Sequence, residues 1–227
     1  MEIHAKQGGH VKDAIRTGEF LPAQPNPAHF ALAELEKMGI VRCIVTQNID
    51  GLHQLAGSQR VIELHGNCRS CTCMNCGANL PMTEALSQWA AFAASRPYAP
   101  PDEPDGFVPR HAACGGGVLK GDVTMFGEAL PAGALSGAAA AVLAAPACLV
   151  VGSSLRVAPA SLVPSLVRLR LGRLLVCDRD PAVAAAGLLR GGDVLLGGAA
   201  GVVLPRLVRR VSELRAASVG PRSCTCM

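Results

Sequence analysis

Polar side chains crowd two short stretches of the sequence, Thr46-Gln47-Asn48-Ile49-Asp50 and Glu63-Leu64-His65-Gly66-Asn67. Each stretch ends an apolar run, at residues 41–46 and 61–64, that is typical of a buried β-strand. Open α/β sheets bind ligands at the carboxyl ends of their strands, so the two stretches indicate a binding or catalytic site. His65 is a candidate general base, because an imidazole titrates near neutral pH and can accept a proton from a hydroxyl. The simpler interpretation is that polar loops end two strands and that the histidine is structural.

A pair of cysteines follows the second stretch. Cys73 and Cys76 are separated by two residues, a spacing at which two thiolates can bind one zinc ion from a tight turn. Cys68 and Cys71 form another pair at the same spacing a few residues upstream. The residues alone leave open whether this upstream pair belongs to the metal site or consists of exposed free thiols.

The elements that would position these residues alternate along the chain. Residues 28–38 predict a helix, because Asn26 can cap it, Pro27 fits its first turn and Gly39 follows its end. This alternation predicts an α/β fold with a doubly wound parallel sheet. Further strands are predicted at residues 123–126, 148–151, 174–177 and 194–196, and helices at 134–145, 160–170, 182–189 and about 203–216.

The segment between Asn67 and Lys120 interrupts the alternation. It contains five cysteines and a proline-rich stretch at residues 97–109. We therefore predict a small module at residues 67–120, inserted into a discontinuous domain formed by residues 1–66 and 121–217. Residues 218–227 have no periodicity and are predicted to form a disordered tail.

Composition excludes several classes of protein. Half of the 227 residues are hydrophobic but only 3% are aromatic, which indicates a core of small aliphatic side chains. The formal net charge is +4 and the arginines are scattered, so we expect no direct binding of nucleic acid. Cys43, Cys148 and Cys177 lie in apolar runs, and this usage favours a reducing, intracellular compartment over secretion. The first residues form no signal peptide and the longest apolar stretch contains Pro146, so no membrane span is predicted.

Four groups of residues carry a resemblance to a known family. They are Gln47-Asn48-Ile49-Asp50 with His65-Gly66, Pro25-Asn26-Pro27-Ala28-His29, Phe126-Gly127-Glu128-Ala129-Leu130-Pro131 and Gly152-Ser153-Ser154-Leu155-Arg156-Val157-Ala158-Pro159. Together they resemble the sirtuin (Sir2) family of NAD-dependent protein deacylases, and they occur in the order that the family has, over residues 25–210. The resemblance implies a Rossmann-like parallel sheet that binds NAD, and transfer of an acyl group from a protein or peptide lysine to ADP-ribose with release of nicotinamide.

The resemblance also implies roles for individual residues. His65 would activate a ribose hydroxyl, and the catalytic residues would also include Asn48 and Asp50. The acylated peptide would add itself as a strand beside five substrate residues, Phe126, Gly127, Glu128, Val157 and Ala158. The residues expected to bind NAD are Gln47, Asn48, Asp50, Gly152, Ser153, Ser154, Asp178, Gly198 and Ala199.

For the metal, the resemblance implies one structural zinc ion held by two ligand pairs. The family places a second cysteine pair where this chain has His111-Ala112-Ala113-Cys114. Histidine is an ordinary zinc ligand, so we predict a site formed by Cys73, Cys76, His111 and Cys114. If His111 does not bind, Cys68 or Cys71 would supply the fourth ligand, and an incomplete site is the remaining alternative.

Two family motifs are not found in this sequence, a Gly-Ala-Gly-x-Ser loop and an Asp-Phe-Arg segment. We expect a sheet without its first strand and weaker contact with the NAD phosphates, which would impair catalysis. The alternative to an active deacylase is therefore a catalytically inactive, sirtuin-like binding protein that contains zinc.

Overall fold

The computed structural model describes residues 23–95, 107–180 and 189–218. Two compact units are present, and each is described by itself. Unit 1 contains Ile49–Gly51 and Gly66–Met125 together with Ala23 and Gln24, and unit 2 contains Pro25–Asn48, Leu52–His65 and the chain from Phe126 to Ser218. The predicted helix at 182–189 and the predicted tail lie almost entirely outside the described residues, and the predicted domain boundaries stay a prediction.

Unit 2 begins with the predicted helix, α1 (Pro27–Lys37). The side chain of Asn26 accepts hydrogen bonds from the N–H groups of Ala28 and His29, and His29 Nδ1 accepts one from the Asn26 N–H at 3.2 Å. This reciprocal cap satisfies N–H groups that have no partner within the first turn of a helix. The prediction of a helix here is therefore confirmed, together with its cap.

Two parallel sheets follow in unit 2. One pairs β1 (Ile44–Thr46) with β2 (Val61–Glu63), and a short helix, α2 (Leu52–Leu55), lies between them in the chain. The other has the order β7-β8-β9, formed by Ala147–Val151, Arg173–Asp178 and Val194–Gly197. The prediction of an α/β fold with parallel strands is confirmed, but among the described residues the strands form two ladders rather than one.

Side chains join the two sheets of unit 2. One cluster brings Leu64, which follows β2, together with Val150 of β7 and Val176 of β8. Another contains Ile44 of β1 and Cys177 of β8. Their buried members are mostly Ala, Val and Leu, as the composition predicts. Helices α4 (Ala134–Leu143) and α5 (Ala200–Ser218) also pack in unit 2, and both α5 and α2 contact α1.

A predicted helix, residues 160–170, is a 3₁₀ segment, Ala160–Arg170. Pro164 lies inside it and cannot donate the backbone hydrogen bond that an α-helix requires at that position. Arg168 of this segment pairs with Asp193. The Asp193 carboxylate accepts hydrogen bonds from the Arg168 guanidinium and from the N–H groups of Leu174 and Arg190. The Asp193 side chain is 2% exposed, and this arrangement holds the pKa of its carboxyl far below the usual range, chiefly through Arg168.

Unit 1 contains an antiparallel sheet of order β4-β3-β6-β5. The strands are β3 (Gly66–Cys73), β4 (Asn79–Pro81), β5 (Arg110–His111) and β6 (Gly117–Val123), and α3 (Met82–Ala94) packs on β3. The strand predicted at residues 123–126 is wrong beyond Val123, the last residue of β6 that pairs with β3. Phe126 and Gly127 lie in a turn, and Gly127 has a φ of 89°, outside the range of a β-strand.

Among the described residues, unit 1 has a small interior. Its cluster of buried residues consists of Cys71, Cys73, Ala85 and Leu119. Beside it, Asp122 accepts hydrogen bonds from the side chains of Ser70, Thr72 and Asn79. Burial raises the pKa of the Asp122 carboxyl, but these three donors outweigh it and hold the pKa below its usual value.

In the part of the chain that the structure describes, no helix is both long enough and apolar enough to cross a membrane.

Candidate active site and metal centre

In unit 2, most of the residues predicted to bind NAD lie at the carboxyl ends of the parallel strands. Gln47 and Asn48 follow β1, and Gly152-Ser153-Ser154 follows β7. Asp178 is the last residue of β8, and Gly198 and Ala199 connect β9 to α5. Parallel sheets place ligands at this edge, so the sequence signal and the topology indicate the same surface.

His65 follows β2 at the same edge. Its Nδ1 atom lies 3.2 Å from the backbone carbonyl oxygen of Gln47. A carbonyl oxygen can only accept a hydrogen bond, so Nδ1 must carry the proton. In the neutral ring Nε2 is then unprotonated, and it is the atom able to accept a proton from a ligand.

Gln47 also connects the ends of the two sheets. Its Nε2 atom lies 3.5 Å from Ser153 Oγ, after β7, and Ser153 Oγ accepts a hydrogen bond from the Leu155 N–H. Asn48 is fixed by its own N–H, which donates to Thr46 Oγ1 at 3.0 Å. Gly152 has a φ of 57° and donates to the Cys177 carbonyl. Glycine suits this turn because it adopts positive φ without strain.

The ends of β8 and β9 are also built by local hydrogen bonds. The Asp178 carboxylate accepts from the Asp180 N–H at 2.9 Å, and the Asp178 carbonyl accepts from Gly198. Gly198 has a φ of 138°, and a side-chain carbon there would lie 3.1 Å from Val203. Ala199 immediately precedes α5, a helix of 19 residues, whose first turn presents N–H groups suited to an anion.

Asp50, the remaining residue predicted to act in catalysis, belongs to unit 1 with Ile49 and Gly51. The backbone carbonyl of Ile49 accepts a hydrogen bond from the Cys68 N–H of β3 at 3.0 Å. Gly51 has a φ of 72°. Asp50 therefore lies on a short segment that is attached to the strand leading to the cysteines.

The five predicted substrate residues are largely open to solvent. Phe126 is 97% exposed and Val157 is 40% exposed. Gly127, Glu128 and Ala158 are also exposed. Exposed side chains contribute little apolar burial to the fold, so these five positions are accessible to a ligand. Their role in binding a peptide stays a prediction.

Four side chains converge in unit 1 with the geometry of a metal site. The ligand atoms of Cys73, Cys76, His111 and Cys114 all lie within 4.8 Å of one another. Cys73 Sγ is 3.4 Å from Cys114 Sγ, and Cys76 Sγ is 3.4 Å from His111 Nδ1. Three thiolates and an imidazole are ordinary ligands for tetrahedral zinc. Cys68 is exposed and Cys71 is buried in the core of unit 1, so neither belongs to this cluster.

The electrostatics of the cluster also favour a cation. The Cys76 N–H donates to the Cys73 sulfur and lowers the pKa of Cys73 to about 6. An N–H from Ala78 acts in the same direction on Cys76, but burial and the neighbouring sulfurs of Cys73 and Cys114 raise its pKa overall. Thiolates this close repel one another unless a positive ion neutralises them. The donor set therefore fits one zinc ion.

Gly117 is a part of the metal centre that sequence reasoning missed. A side-chain carbon at this position would lie 2.6 Å from Cys73 Sγ and 3.1 Å from Cys114 Sγ. Only glycine leaves room for both sulfurs. The signal in the sequence was the run Gly115-Gly116-Gly117 directly after a ligand.

Comparison with known proteins identifies the family. The model of the Sir2 family matches residues 7–159. NAD-dependent protein deacylase 2 of Archaeoglobus fulgidus is 39% identical over 193 residues, which is 85% of this chain and 69% of that protein. The NAD-dependent protein deacetylase of Caldivirga maquilingensis is 45% identical over 159 residues, which is 70% of this chain and 56% of that protein.

Comparison with solved structures identifies the same family. Sir2Af2 bound to a myristoylated histone peptide has a TM-score of 0.70 and 37% identity, covering 90% of this chain and 79% of that one. A Sir2 homologue in complex with NAD has a TM-score of 0.67 and 34% identity, covering 85% of this chain and 66% of that one. The chain thus shares both sequence motifs and fold with these enzymes, and it belongs to the Sir2 family.

Proposed function

We propose that this protein is an NAD-dependent protein-lysine deacylase. It transfers an acyl group from a lysine side chain to ADP-ribose and releases nicotinamide. The relatives described above are named as deacylases or deacetylases, and the neighbouring structures hold NAD or an acylated peptide. None of these relatives favours the alternative of an inactive binding protein.

The observation that carries the proposal is the contact that His65 makes through its Nδ1 atom. The 3.2 Å contact between His65 Nδ1 and the Gln47 carbonyl leaves Nε2 as the proton acceptor of the neutral ring. As NAD is consumed, the acyl oxygen bonds to the ribose carbon that nicotinamide leaves. His65 then takes the proton from a ribose hydroxyl, so that this hydroxyl can bond to the acyl carbon while the lysine nitrogen leaves as the free amine.

The remaining residues position the reactants. Gln47 and Asn48 are held by contacts with Ser153 and Thr46, and we assign them to the nicotinamide end of NAD. The exposed segment Phe126–Glu128, with Val157 and Ala158, would receive the acylated peptide as an added strand.

Zinc has a structural role in this proposal. Four ligands complete a tetrahedral site and leave no position for a catalytic water. The cysteines at these positions must stay reduced to bind metal, which supports a reducing compartment as the place where the protein works.

Nicotinamide release from NAD, measured with an acetyl-lysine peptide, tests the function. We expect the wild type to release nicotinamide only when the peptide is present. His65→Ala should reduce the rate by about a hundredfold or more, because general-base catalysis typically contributes that factor. His29→Ala is the matched control, since His29 caps α1 and has no place in the proposed site.

Thermal melting and zinc content should be measured for each variant, so that loss of activity is separated from loss of fold. A folded, zinc-loaded wild type that releases no nicotinamide would contradict the proposed function. A loss of less than about tenfold in His65→Ala would contradict the role of His65 as the base.

A further inference from the structure

Strand β3 bulges at residues Asn67 to Ser70. Its register against β6 shifts between Gly66, which pairs with Val123, and Cys71, which pairs with Gly121. The Asn67 side-chain oxygen accepts hydrogen bonds from the Arg69 N–H at 2.8 Å and the Ser70 N–H at 3.1 Å. The bulge is therefore fixed by its own first side chain. Bulges are common next to active sites, where they redirect a side chain.

The bulge contacts the segment that carries Asp50, and all of these residues belong to unit 1. The Cys68 N–H donates to the Ile49 carbonyl at 3.0 Å. The Arg69 side chain lies across Gly51, where an added side-chain carbon would be 2.6 Å from Arg69 Nη1 and 3.2 Å from its Cδ. Asp50 is thus flanked by Ile49, which is held by a hydrogen bond, and by Gly51, which is covered by the Arg69 guanidinium.

Gly51 is the residue that makes this contact possible. Its φ of 72° is one that glycine adopts without strain, and a side chain there would collide with Arg69. Gly51 is buried, and the long stem of Arg69 packs against its backbone while the planar guanidinium covers the turn. Arg69 therefore contacts the residue through which the chain leaves Asp50.

We propose that Arg69 is a positioning residue that acts through Asp50. This inference rests on the proposed function, because it assigns Asp50 a part in the reaction with NAD. Arg69 holds the Ile49–Gly51 segment in place, and its removal lets the Asp50 carboxylate move. A displacement of about 1 Å at a reacting group can reduce the rate by about a hundredfold.

A double-mutant cycle on nicotinamide release tests this role. We expect Arg69→Ala to lower kcat by about tenfold or more while the melting temperature and zinc content are retained. Arg69→Lys, which keeps most of the stem, should restore part of the rate. In an Asp50→Asn background, Arg69→Ala should have little further effect, because the residue through which it acts is already lost.

Arg110→Ala is the matched control for the cycle. Arg110 is an arginine of the same unit whose guanidinium donates to the Gly116 carbonyl at 2.9 Å. Its effect on kcat should be equal in the wild-type and Asp50→Asn backgrounds. Arg69→Ala that is likewise additive with Asp50→Asn would overturn the proposal.

Hydrogen exchange provides a second readout that needs no activity. Arg69→Ala should speed exchange of peptides containing Ile49–Gly51 by about fivefold or more, with no change in β7 and β8. If the wild type releases no nicotinamide but this acceleration occurs, the deacylase function fails while the contact with the Asp50 segment stands. Unchanged exchange would overturn the inference whether or not the enzyme is active.

Discussion

Among the described residues, unit 2 buries two clusters of nine and six residues, built mostly from Ala, Val and Leu, whereas the buried cluster of unit 1 has four residues, two of them cysteines. Unit 2 therefore has the kind of interior from which domains derive most of their stability. Unit 1 has a small interior beside a metal centre, and small folds commonly need such a constraint. The difference indicates that apolar burial stabilises unit 2 and that zinc stabilises unit 1.

Removal of zinc should produce the largest difference in stability between the two units. We expect a chelator to abolish protection of β3 and β6 from hydrogen exchange, because a structural zinc site supplies folding free energy directly. Strands β7 and β8 should keep their protection. Exchange measured by mass spectrometry, peptide by peptide, distinguishes these regions.

Two cysteine variants make this test specific. Cys114→Ser should reproduce the effect of the chelator, and Cys68→Ser should behave as the wild type because Cys68 is exposed and outside the cluster. Equal loss of protection in both units would contradict a stabilising effect of zinc that is confined to unit 1.

The next largest effect is expected from breaking the ion pair between Asp193 and Arg168. Asp193→Ala leaves the Arg168 guanidinium, which is 17% exposed, without its carboxylate. Breaking a buried pair from one side typically lowers the free energy of unfolding by about 3–5 kcal/mol. Urea unfolding, monitored by hydrogen exchange in β8, would measure this loss of stability. Glu213→Ala, at an exposed pair on α5, should change stability by at most about 1 kcal/mol.

The same pair predicts a dependence on pH. The pKa of Asp193 is lowered in the folded state, so its contribution is fully present above the unfolded value of about 3.9. It decreases as the pH falls below that value, toward the folded pKa. Stability of unit 2 that fell instead on raising the pH from 5 to 7, in the wild type but not in Asp193→Ala, would contradict this assignment.

A smaller effect is expected from the carboxylate of unit 1. Asp122→Asn weakens acceptance of hydrogen bonds from Ser70, Thr72 and Asn79, and we expect a loss of about 1–3 kcal/mol in the zinc-loaded protein. Thermal melting of unit 1, monitored by hydrogen exchange in β3, would measure this loss. Glu84→Gln, at an exposed carboxylate on α3, is the control. If Asp122→Asn left the stability of unit 1 unchanged, the hydrogen bonds of Asp122 would not contribute to it.

How much the sequence could predict depended on whether the signal was local. The cap of α1, the parallel strands and the polar residues at their ends were read from neighbouring residues, and the structure places them as expected. Strand β3 was not predicted, because Asn67, Arg69 and Ser70 in its bulge break the alternation of apolar and polar residues. The role of Asp193 was also missed, since its partner Arg168 lies 25 residues away.

The metal site shows the same limit. Cys73 and Cys76 were recognised from their spacing, but His111 and Cys114 were assigned only through the family resemblance. No pattern along the chain reports that β5 and β6 bring these residues to within 4.8 Å of the first pair. The sequence also left Cys68 and Cys71 as alternatives, which the structure places outside the cluster.

The two sheets of unit 2 are joined by side chains such as Ile44 and Cys177, with no shared ladder among the described strands. Hydrophobic attraction weakens on cooling, because its driving force near room temperature is largely entropic. The join between β1–β2 and β7–β9 is therefore the part of unit 2 most sensitive to cold. Near freezing, the ends of β1 and β7 should move relative to one another before either ladder opens, so the surface that carries Gln47 and Ser153 loses its geometry first.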